Sequence, residues 1–253
     1  MKLYKRAAAL ILTAATLLSL APPVSAEGDR VTISSAKEFY ALVQNCTRDV
    51  WSQGVTVELT ADLDLSGSDF QPIPIFQGTF HGNGHTIRGI TYDHKGSTLG
   101  LFRTLTESAV VEGLCVEGLL EPQGSASQLG LLAGENYGAI RSCSAKGTVS
   151  GQEDVGGLVG VNGETGRIEG SSSQVQISGV TNVGGIAGQN LGTLDRCINT
   201  GALNSDPDQE IPTSVGGVAG LSRGTIQSCS NSGEIGYQHL GYNVGGIVGR
   251  TDG

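Results

Sequence analysis

Apolar residues follow two different periods in the first part of the chain. The first period is helical, with apolar side chains at i, i+3, i+4 and i+7, namely Phe39, Leu42, Val43 and Cys46. This stripe predicts an amphipathic helix. Ser35 and Glu38 stand just before it at the spacing of a capping box, so the helix is predicted to begin there.

The period then changes to two. Over residues 55–65 apolar side chains alternate with mostly polar ones, at Val55, Val57, Leu59, Ala61, Leu63 and Leu65. Alternation of this kind is typical of half-buried strands. Gly82-Asn83-Gly84 then predicts a turn between Phe80 and Ile87.

One six-residue phrase recurs through the second part of the chain. Its copies are LGLLAG at 129–134, VGGLVG at 155–160, VGGIAG at 183–188, VGGVAG at 215–220 and VGGIVG at 244–249. The closing glycines are 26, 28, 32 and 29 residues apart, and Leu99–Phe102 is a degenerate first copy. A phrase that returns at such periods indicates stacked repeats.

Each repeat contains two further apolar positions. The first is filled by Val111, Ile140, Ile168, Leu194 and Ile226, and the second by Val149, Ile177, Leu203 and Ile235. Three short strands per repeat are predicted. One such coil cannot bury its own apolar face, whereas stacked coils can. The chain is therefore predicted to be all-β and to fold as a parallel β-helix-like solenoid behind a short N-terminal capping helix.

Composition divides the chain near residue 98. Eight of the 40 glycines precede Gly100, whereas all five Phe residues lie at or before Phe102. We predict a cap at residues 27–98 and a repeat array at 99–253. The last coil is predicted to be incomplete, because the phrase at 244–249 forms only the opening strand of a coil.

Residues 1–26 have the pattern of a secretory signal peptide. Three basic residues precede the apolar stretch at residues 7–20, and Val24-Ser25-Ala26 fits the small-x-small cleavage rule. Cleavage after Ala26 predicts a secreted or cell-surface protein. The remaining chain has 12 basic and 24 acidic residues, which argues against a nucleic-acid partner. Membrane insertion is not expected, since no later segment is long and apolar enough.

The recurring phrase with its polar extension, Gly-Gly-Leu-Val-Gly-x-Asn-x-Gly-x-Ile, resembles the GLUG-motif repeat of bacterial exported and surface proteins. The stretches at 59–65 and 78–87 resemble the segment that commonly precedes such repeats. The resemblance covers nearly all of the chain after residue 26. It implies a right-handed β-helix-like solenoid, a winding that the crossover rule also favours. Similar repeats occur in IgA-cleaving metallopeptidases, but the motif itself implies no catalytic residues.

Two polar motifs are explained by the repeat register. Gly220-Leu-Ser222-Arg-Gly224 matches the nucleophile elbow of serine hydrolases, but no helix pattern follows it. Asn136, Asn162 and Asn190 occupy the same repeat position as Ser222. We expect these side chains to form a stacked ladder along the solenoid, as amides do in cross-β stacks.

The cysteines follow the register as well. Cys143, Cys197 and Cys229 share one inward-facing position, filled by Leu114 and Ser171 in other coils, where free Cys packs as a small apolar residue. Cys197 and Cys229 lie in adjacent coils, close enough for a disulfide as an alternative. Cys115 is one residue off this position and should face outward, and Cys46 belongs to the helix stripe.

Metal and acid–base sites are not expected. His81 and His85 have metal-ligand spacing but are separated by a turn and have no evident third ligand. The acidic residues Asp62 and Asp64 on the strand, and Asp206, Asp208 and Glu210 in a loop, lack calcium-site spacing and are expected to be solvated. No catalytic, cofactor or metal residue is therefore assigned.

The sequence favours a non-enzymatic exported solenoid that acts as a surface spacer, adhesion module or binding module. Host glycans or glycoproteins are the expected partners, together with self-association through the open C-terminal coil. Binding would use Tyr137, Tyr237, His239, Tyr242 and the loop at 204–214. One alternative is a carbohydrate-active β-helix enzyme, for which only Arg141, Asp195-Arg196 and Gln227 fall near one position in successive coils. The other is the N-terminal stalk of a larger secreted peptidase.

Overall fold

In the computed structural model, residues 29–48, 50–204, 213–236 and 243–252 are described. Within them the chain winds through about seven turns of a parallel β-solenoid. Every strand pairing in the four sheets is parallel and joins successive coils, so the apolar positions of the repeats lie above one another. The predicted all-β solenoid with a short N-terminal helix is confirmed, and its right-handed winding stays a prediction.

The first turns contain the helix and seven strands. In chain order the elements are β1 (Arg30–Ile33), α1 (Ala36–Asn45), β2 (Thr56–Leu59), β3 (Leu63–Asp64), β4 (Ile73–Phe76), β5 (Thr79–His81), β6 (Thr86–Tyr92) and β7 (Phe102–Leu105).

The next ten strands are β8 (Val110–Glu112), β9 (Cys115–Leu120), β10 (Ser127–Leu129), β11 (Ala133–Asn136), β12 (Ala139–Arg141), β13 (Ser144–Ser150), β14 (Glu153–Gly156), β15 (Val159–Asn162), β16 (Arg167–Glu169) and β17 (Ser172–Ser178). The last ten are β18 (Thr181–Gly184), β19 (Ala187–Asn190), β20 (Thr193–Asp195), β21 (Ile198–Asn199), β22 (Val215–Gly216), β23 (Ala219–Ser222), β24 (Thr225–Gln227), β25 (Ser230–Asn231), β26 (Val244–Gly245) and β27 (Val248–Thr251).

Four sheets run along the solenoid. We number them in the order in which one coil visits them, starting from β12. Sheet 1 contains β1, β2, β5, β8, β12, β16, β20 and β24, and sheet 2 contains β3, β6, β9, β13, β17, β21 and β25. Sheet 3 contains β10, β14, β18, β22 and β26, and sheet 4 contains β4, β7, β11, β15, β19, β23 and β27.

The three-strand coil predicted from the repeat is wrong, because a full coil has four strands. The recurring phrase itself spans two of them: in the third copy, Val155 and Gly156 end β14 and Val159 begins β15. Leu158 lies at the corner between them and is fully buried. A Cβ on Gly157 would lie 2.1 Å from Oγ of Ser173, so the second glycine of the phrase lets this corner pack against sheet 2.

Helix α1 begins where its capping box predicts. Oγ of Ser35 accepts a hydrogen bond from the Glu38 backbone N–H, and the Glu38 carboxylate in return accepts from the Ser34 backbone N–H and from the Ser35 hydroxyl. These hydrogen bonds lower the pKa of Glu38, the largest contribution coming from the Ser34 backbone. Phe39, Leu42, Val43 and Cys46 are buried as the stripe predicts, and they close the N-terminal end of the core.

The inner side chains stack as continuous columns. In sheet 1, Val111, Ile140, Ile168, Leu194 and Ile226 are register partners, as the first apolar position predicts. In sheet 2, Val149, Ile177, Leu203 and Ile235 follow one another in the same way. The sheet 1 column continues back to Phe80 and Val57, so the sheets pass through residue 98 without a break. Nothing in the structure tests the predicted boundary there.

The predicted asparagine ladder is present in sheet 4. Asn136 donates to Asn162 at 2.8 Å, and Asn162 donates to Asn190 at 2.9 Å. Asn190 then donates to Oγ of Ser222 at 3.1 Å. All four side chains are buried. Ser222 is therefore a ladder residue inside the wall, and it is a strand end rather than a nucleophile elbow.

Candidate functional site

A row of charged side chains runs along the outer surface of sheet 1. These residues occupy one register position, immediately after the inward column, and we call them the outer row: Glu58, His81, Glu112, Arg141, Glu169, Asp195 and Gln227. Neighbouring strands of a sheet are about 4.8 Å apart, so each member lies within reach of the next. Residues that are about one repeat apart in the sequence are therefore direct neighbours in the sheet.

The sequence predicts only part of this row. It places Arg141, Asp195 and Gln227 near one position, and the structure confirms that they share it. Glu58, His81, Glu112 and Glu169 were missed. A usable signal existed, because each outer-row residue directly follows the apolar residue of the sheet 1 column, as Glu112 follows Val111.

Most charges of the outer row are paired. Glu58 is bound by Arg30 at 2.6 Å and by the Asn83 amide at 2.9 Å, and the Asn83 hydrogen bond is the main cause that lowers the pKa of Glu58. Nδ1 of His81 lies 2.7 Å from Oε1 of Glu112. Asp195 pairs with the neighbouring Arg196.

Arg141 is held more loosely. Its Nε lies 3.7 Å from Oε2 of Glu169, which is longer than a hydrogen bond. Arg141 and Glu112 are direct register neighbours of opposite charge, yet the described residues contain no ion pair between them. Glu112 instead contacts His81 of the preceding coil, and Arg141 contacts Glu169 of the following coil.

A cleft of about 330 Å³ opens at this gap. It is lined by His81, Asn83, Glu112, Gly113, Arg141 and Ser142. Its floor follows the corner between sheets 1 and 2, where Asn83, Gly113 and Ser142 all have positive φ values, of 53°, 62° and 50°. Gly113 has no side chain, so it leaves a notch between the side chains of Asn83 and Ser142.

The two histidines do not form a common site. His81 binds Glu112, whereas Nδ1 of His85 lies 3.2 Å from Oδ1 of Asp62. Across the described ranges, no group of three or more metal-ligating side chains is brought together. The Asp62 carboxylate also accepts the Thr86 backbone N–H, the main cause of its lowered pKa.

Asp64 lies on the exposed side of its strand, as the alternation predicts. Its carboxylate accepts hydrogen bonds from Ser66 and from Nε of Arg88, and these, Ser66 first, lower its pKa to about 2. The loop acids Asp206, Asp208 and Glu210 lie outside the described residues.

All five cysteines are free thiols. Cys143, Cys197 and Cys229 share the position predicted for them, and Cys115 faces outward with its sulfur 2.8 Å from Oγ of Ser144. The Cys197 backbone N–H donates to the Cys229 sulfur at 3.3 Å. The hydrogen bond from the Cys197 thiol is the main cause that lowers the pKa of Cys229 to about 7, and the same contact, with burial, raises that of Cys197.

The predicted aromatic binding residues are only partly visible. The ring of Tyr137 covers Gly163 of the next coil, where a Cβ would lie 2.3 Å from it, and burial raises the pKa of Tyr137. Tyr237, His239, Tyr242 and most of the loop at 204–214 lie outside the described residues. Among the residues that are described, no helix has the length and apolar character needed to cross a membrane.

Comparison with known proteins agrees with the coil pattern. Residues 125–150 and 151–178, two consecutive coils, match the family model described as the GLUG motif. The chain contains GLUG repeats. The resemblance noted from the sequence is therefore confirmed.

Two relatives share sequence with part of this chain. Halomucin of Haloquadratum walsbyi is 36% identical over 119 residues, and the match covers 40% of this chain and 1% of halomucin. A protein of Evansella cellulosilytica, named as a Gly-rich membrane protein, is 33% identical over 96 residues, and the match covers 36% of this chain and 11% of that protein. This chain thus matches a small part of each relative.

A solved structure shares the fold. A Bacteroides ovatus protein named as an immunoglobulin A1 protease superposes with a TM-score of 0.60 at 21% identity. The match covers 81% of this chain and 66% of that protein. The superposition shows that the two chains share the solenoid fold.

Proposed function

We propose that this chain is a non-enzymatic module of an exported surface protein, in which stacked GLUG coils act as a rigid spacer and display a polar side face. The observation that carries the proposal is that the polar residues of the repeat form hydrogen bonds between coils. Asn136, Asn162, Asn190 and Ser222 bond to one another inside the wall, so the repeat preserves stacking rather than an exposed reactive group.

The size of the relatives supports a modular role. The segment that matches this chain is 1% of halomucin and 11% of the Evansella protein, as expected for a unit that is added to longer chains. The signal-peptide pattern at residues 1–26 and the printed name of the Evansella protein both favour export to the cell surface.

Surface location is tested on intact cells. An antibody against the folded coils should label intact and permeabilised cells equally, and the mature N-terminus should be Glu27. Labelling that requires permeabilisation would contradict export. A chain that carries a second copy of residues 151–178 should remain surface-exposed and fully folded, since a spacer tolerates added coils.

A carbohydrate-active enzyme is the second candidate, favoured by the His81–Glu112 pair beside Arg141. A carboxylate and an imidazole in contact have the chemistry of a general acid–base pair. The chain would be incubated with pectin-like and β-glucan polymers, and the release of reducing or unsaturated ends measured. Product release that disappears in Glu112→Gln would overturn the non-enzymatic proposal, whereas no release from either polymer supports it.

A further inference from the structure

We infer that the cleft between Glu112 and Arg141 binds a single neutral sugar unit of a glycan, with two adjacent ring hydroxyls bridging the carboxylate and the guanidinium. The inference deepens the proposed function, since it names the ligand class for the side face of the module. It rests on the uncommitted polar groups of the cleft, on its charge balance and on its size.

The polar groups of the cleft are only partly used. Oε1 of Glu112 is bound to His81, and within the described part of the chain Oε2 has no hydrogen-bond partner. Arg141 likewise makes no side-chain hydrogen bond there, and its contact with Glu169 at 3.7 Å is an ion pair only. A guanidinium has five N–H donors, and a carboxylate accepts only, so a donor–acceptor ligand fits between them.

The charge of the cleft favours a neutral ligand. The carboxylate of Glu112 and the guanidinium of Arg141 balance each other, and the whole chain has a formal net charge of −9, which repels anions. The hydroxyls of a sugar both donate and accept. One hydroxyl can therefore donate to Glu112 while its neighbour accepts from Arg141 or from Ser142.

Size and lining favour a small polar ligand over an apolar one. A volume of about 330 Å³ is at the lower end of the range for small-molecule sites, which suits one sugar ring. The lining contains glycine and polar side chains only, so an apolar molecule would gain little by entering. Gly113 presents no side chain to the cleft, and a Cβ placed there would already be in van der Waals contact with backbone nitrogens at 3.6 Å, so a side chain at this position would take up part of the space left to the ring.

His81 is a positioning residue in this arrangement. Its contact with Oε1 of Glu112 fixes the carboxylate so that Oε2 points away from the histidine. Because no apolar surface is buried, we expect dissociation constants on the order of millimolar for a monosaccharide.

The test uses the full chain labelled with ¹⁵N and a panel of methyl glycosides of glucose, galactose and mannose. At least one should shift the amide signals of Gly113 and Ser142 saturably, and removal of one hydroxyl of the bridging pair should weaken binding at least about tenfold. Binding should be nearly independent of NaCl concentration, because the ligand carries no charge.

Variants locate the site. Glu112→Gln and Arg141→Lys should each weaken binding about tenfold. Gln accepts a hydrogen bond without the negative charge that strengthens it, and Lys lacks the planar fork of donors that the guanidinium presents. Glu164→Gln and Arg48→Gln, which change exposed residues elsewhere, should bind as the parent does. Circular dichroism and melting temperature confirm that all four variants are folded.

Three outcomes would overturn the inference: no saturable shift with any of the sugars, tighter binding of glucuronate or a free amino acid than of neutral sugars, or shifts confined to residues outside the cleft. None of these affects the labelling of intact cells. A failure of the sugar site is therefore distinguishable from a failure of the proposed surface role.

Discussion

Burial separates the polar side chains that hold the coils together from those that remain available to solvent. Asn162 is fully buried and bonds to coils on both sides, whereas Glu112 and Arg141 in the outer row stay roughly half exposed. A buried amide that loses its partner costs about 1–3 kcal/mol, so the ladder tolerates little change. Exposed ion pairs contribute only about 0–1 kcal/mol, which leaves the half-exposed members of the outer row, such as Glu112 and Arg141, free to vary.

Asp154 should make stability depend on pH. Burial is the main cause that raises its pKa, and the Asn182 amide that donates to it at 2.9 Å only partly offsets this. A carboxyl whose folded pKa lies above its unfolded value of about 3.9 stabilises the fold when protonated. This contribution is therefore lost as pH rises from the unfolded pKa through the folded one.

Asp154→Asn removes the charge and keeps an oxygen that accepts from Asn182. The variant should melt at a higher temperature than the parent at pH 7, and the difference should shrink toward pH 4. Asp29→Asn, at an exposed position that takes part in no ion pair among the described residues, is the control. A parent protein that gains stability relative to the variant between pH 4 and pH 7 would contradict the assignment.

Cys229 should be the most reactive thiol. The contact with Cys197 lowers the pKa of Cys229 and favours its thiolate, whereas burial raises the pKa values of Cys46 and Cys143 to about 12. Brief iodoacetamide treatment of the native chain, followed by peptide mass spectrometry, should find Cys229 alkylated first. Equal labelling of Cys143 would show that this order is wrong.

The same thiolate tests the disulfide alternative. With oxidised glutathione, Cys229 would displace one glutathione, and the Cys197 thiol would then displace the second and lose its proton, closing a bond between adjacent coils. A non-reducing digest should contain the linked peptides, and Cys229→Ser should abolish them. A digest that contains only the mixed disulfide would exclude the cross-coil bond.

At the scale of elements, glycine decides where the strands can pack. Gly160, Gly188, Gly220 and Gly249 close the recurring phrase and lie against the backbone of sheet 3, and Gly134 lies in the same way against Thr98 and Leu99, where an isolated bridge joins Leu99 to Leu129. Contact between backbones requires the absence of a side chain, which explains why the phrase ends in glycine in each of its five full copies. The same geometry divides the phrase into two strands with a corner between them.

Gly188→Ala should destabilise the solenoid strongly. The new Cβ would lie 2.3 Å from the carbonyl carbon of Asp154, and backbone cannot move aside as a flexible side chain can. The expected loss is about 3 kcal/mol or more in urea unfolding, at the upper end of the cost of overpacking. Gly246→Ala is the matched control, because nothing lies within 4 Å of its Cβ position. Equal stability of the two variants would contradict the packing argument.

At the scale of the whole molecule, each coil contacts only its neighbours, so the stack should accept the loss of one complete coil. Residues 151–178 form such a coil, with one strand in each of the four sheets. Ser150 and Ser178 are register partners, so joining Ser150 to Gly179 leaves the chain at the same point of the cross-section.

A chain that lacks residues 151–178 should therefore keep its β-sheet circular dichroism and unfold cooperatively. Deletion of residues 151–164 is the control, because it removes half a coil and shifts every later column out of register. We expect that shorter deletion to abolish cooperative unfolding. If the two deletions behave alike, the coils are not interchangeable units.

The sequence by itself determined the architecture. Its apolar positions predicted the helix and the inward columns, and its recurring polar position predicted the asparagine ladder, because each of these depends on a period that is visible along the chain. It did not predict the four-strand coil, since the glycine corner at Leu158 depends on how closely sheets 2, 3 and 4 approach.

The outer row and its cleft were also decided only by the tertiary structure. His81, Glu112 and Arg141 lie about one repeat apart in sequence and become neighbours only when the coils stack. Which opposite charges then bind one another, and which face an open cleft, is set by side-chain packing on a surface whose residues follow no repeating pattern.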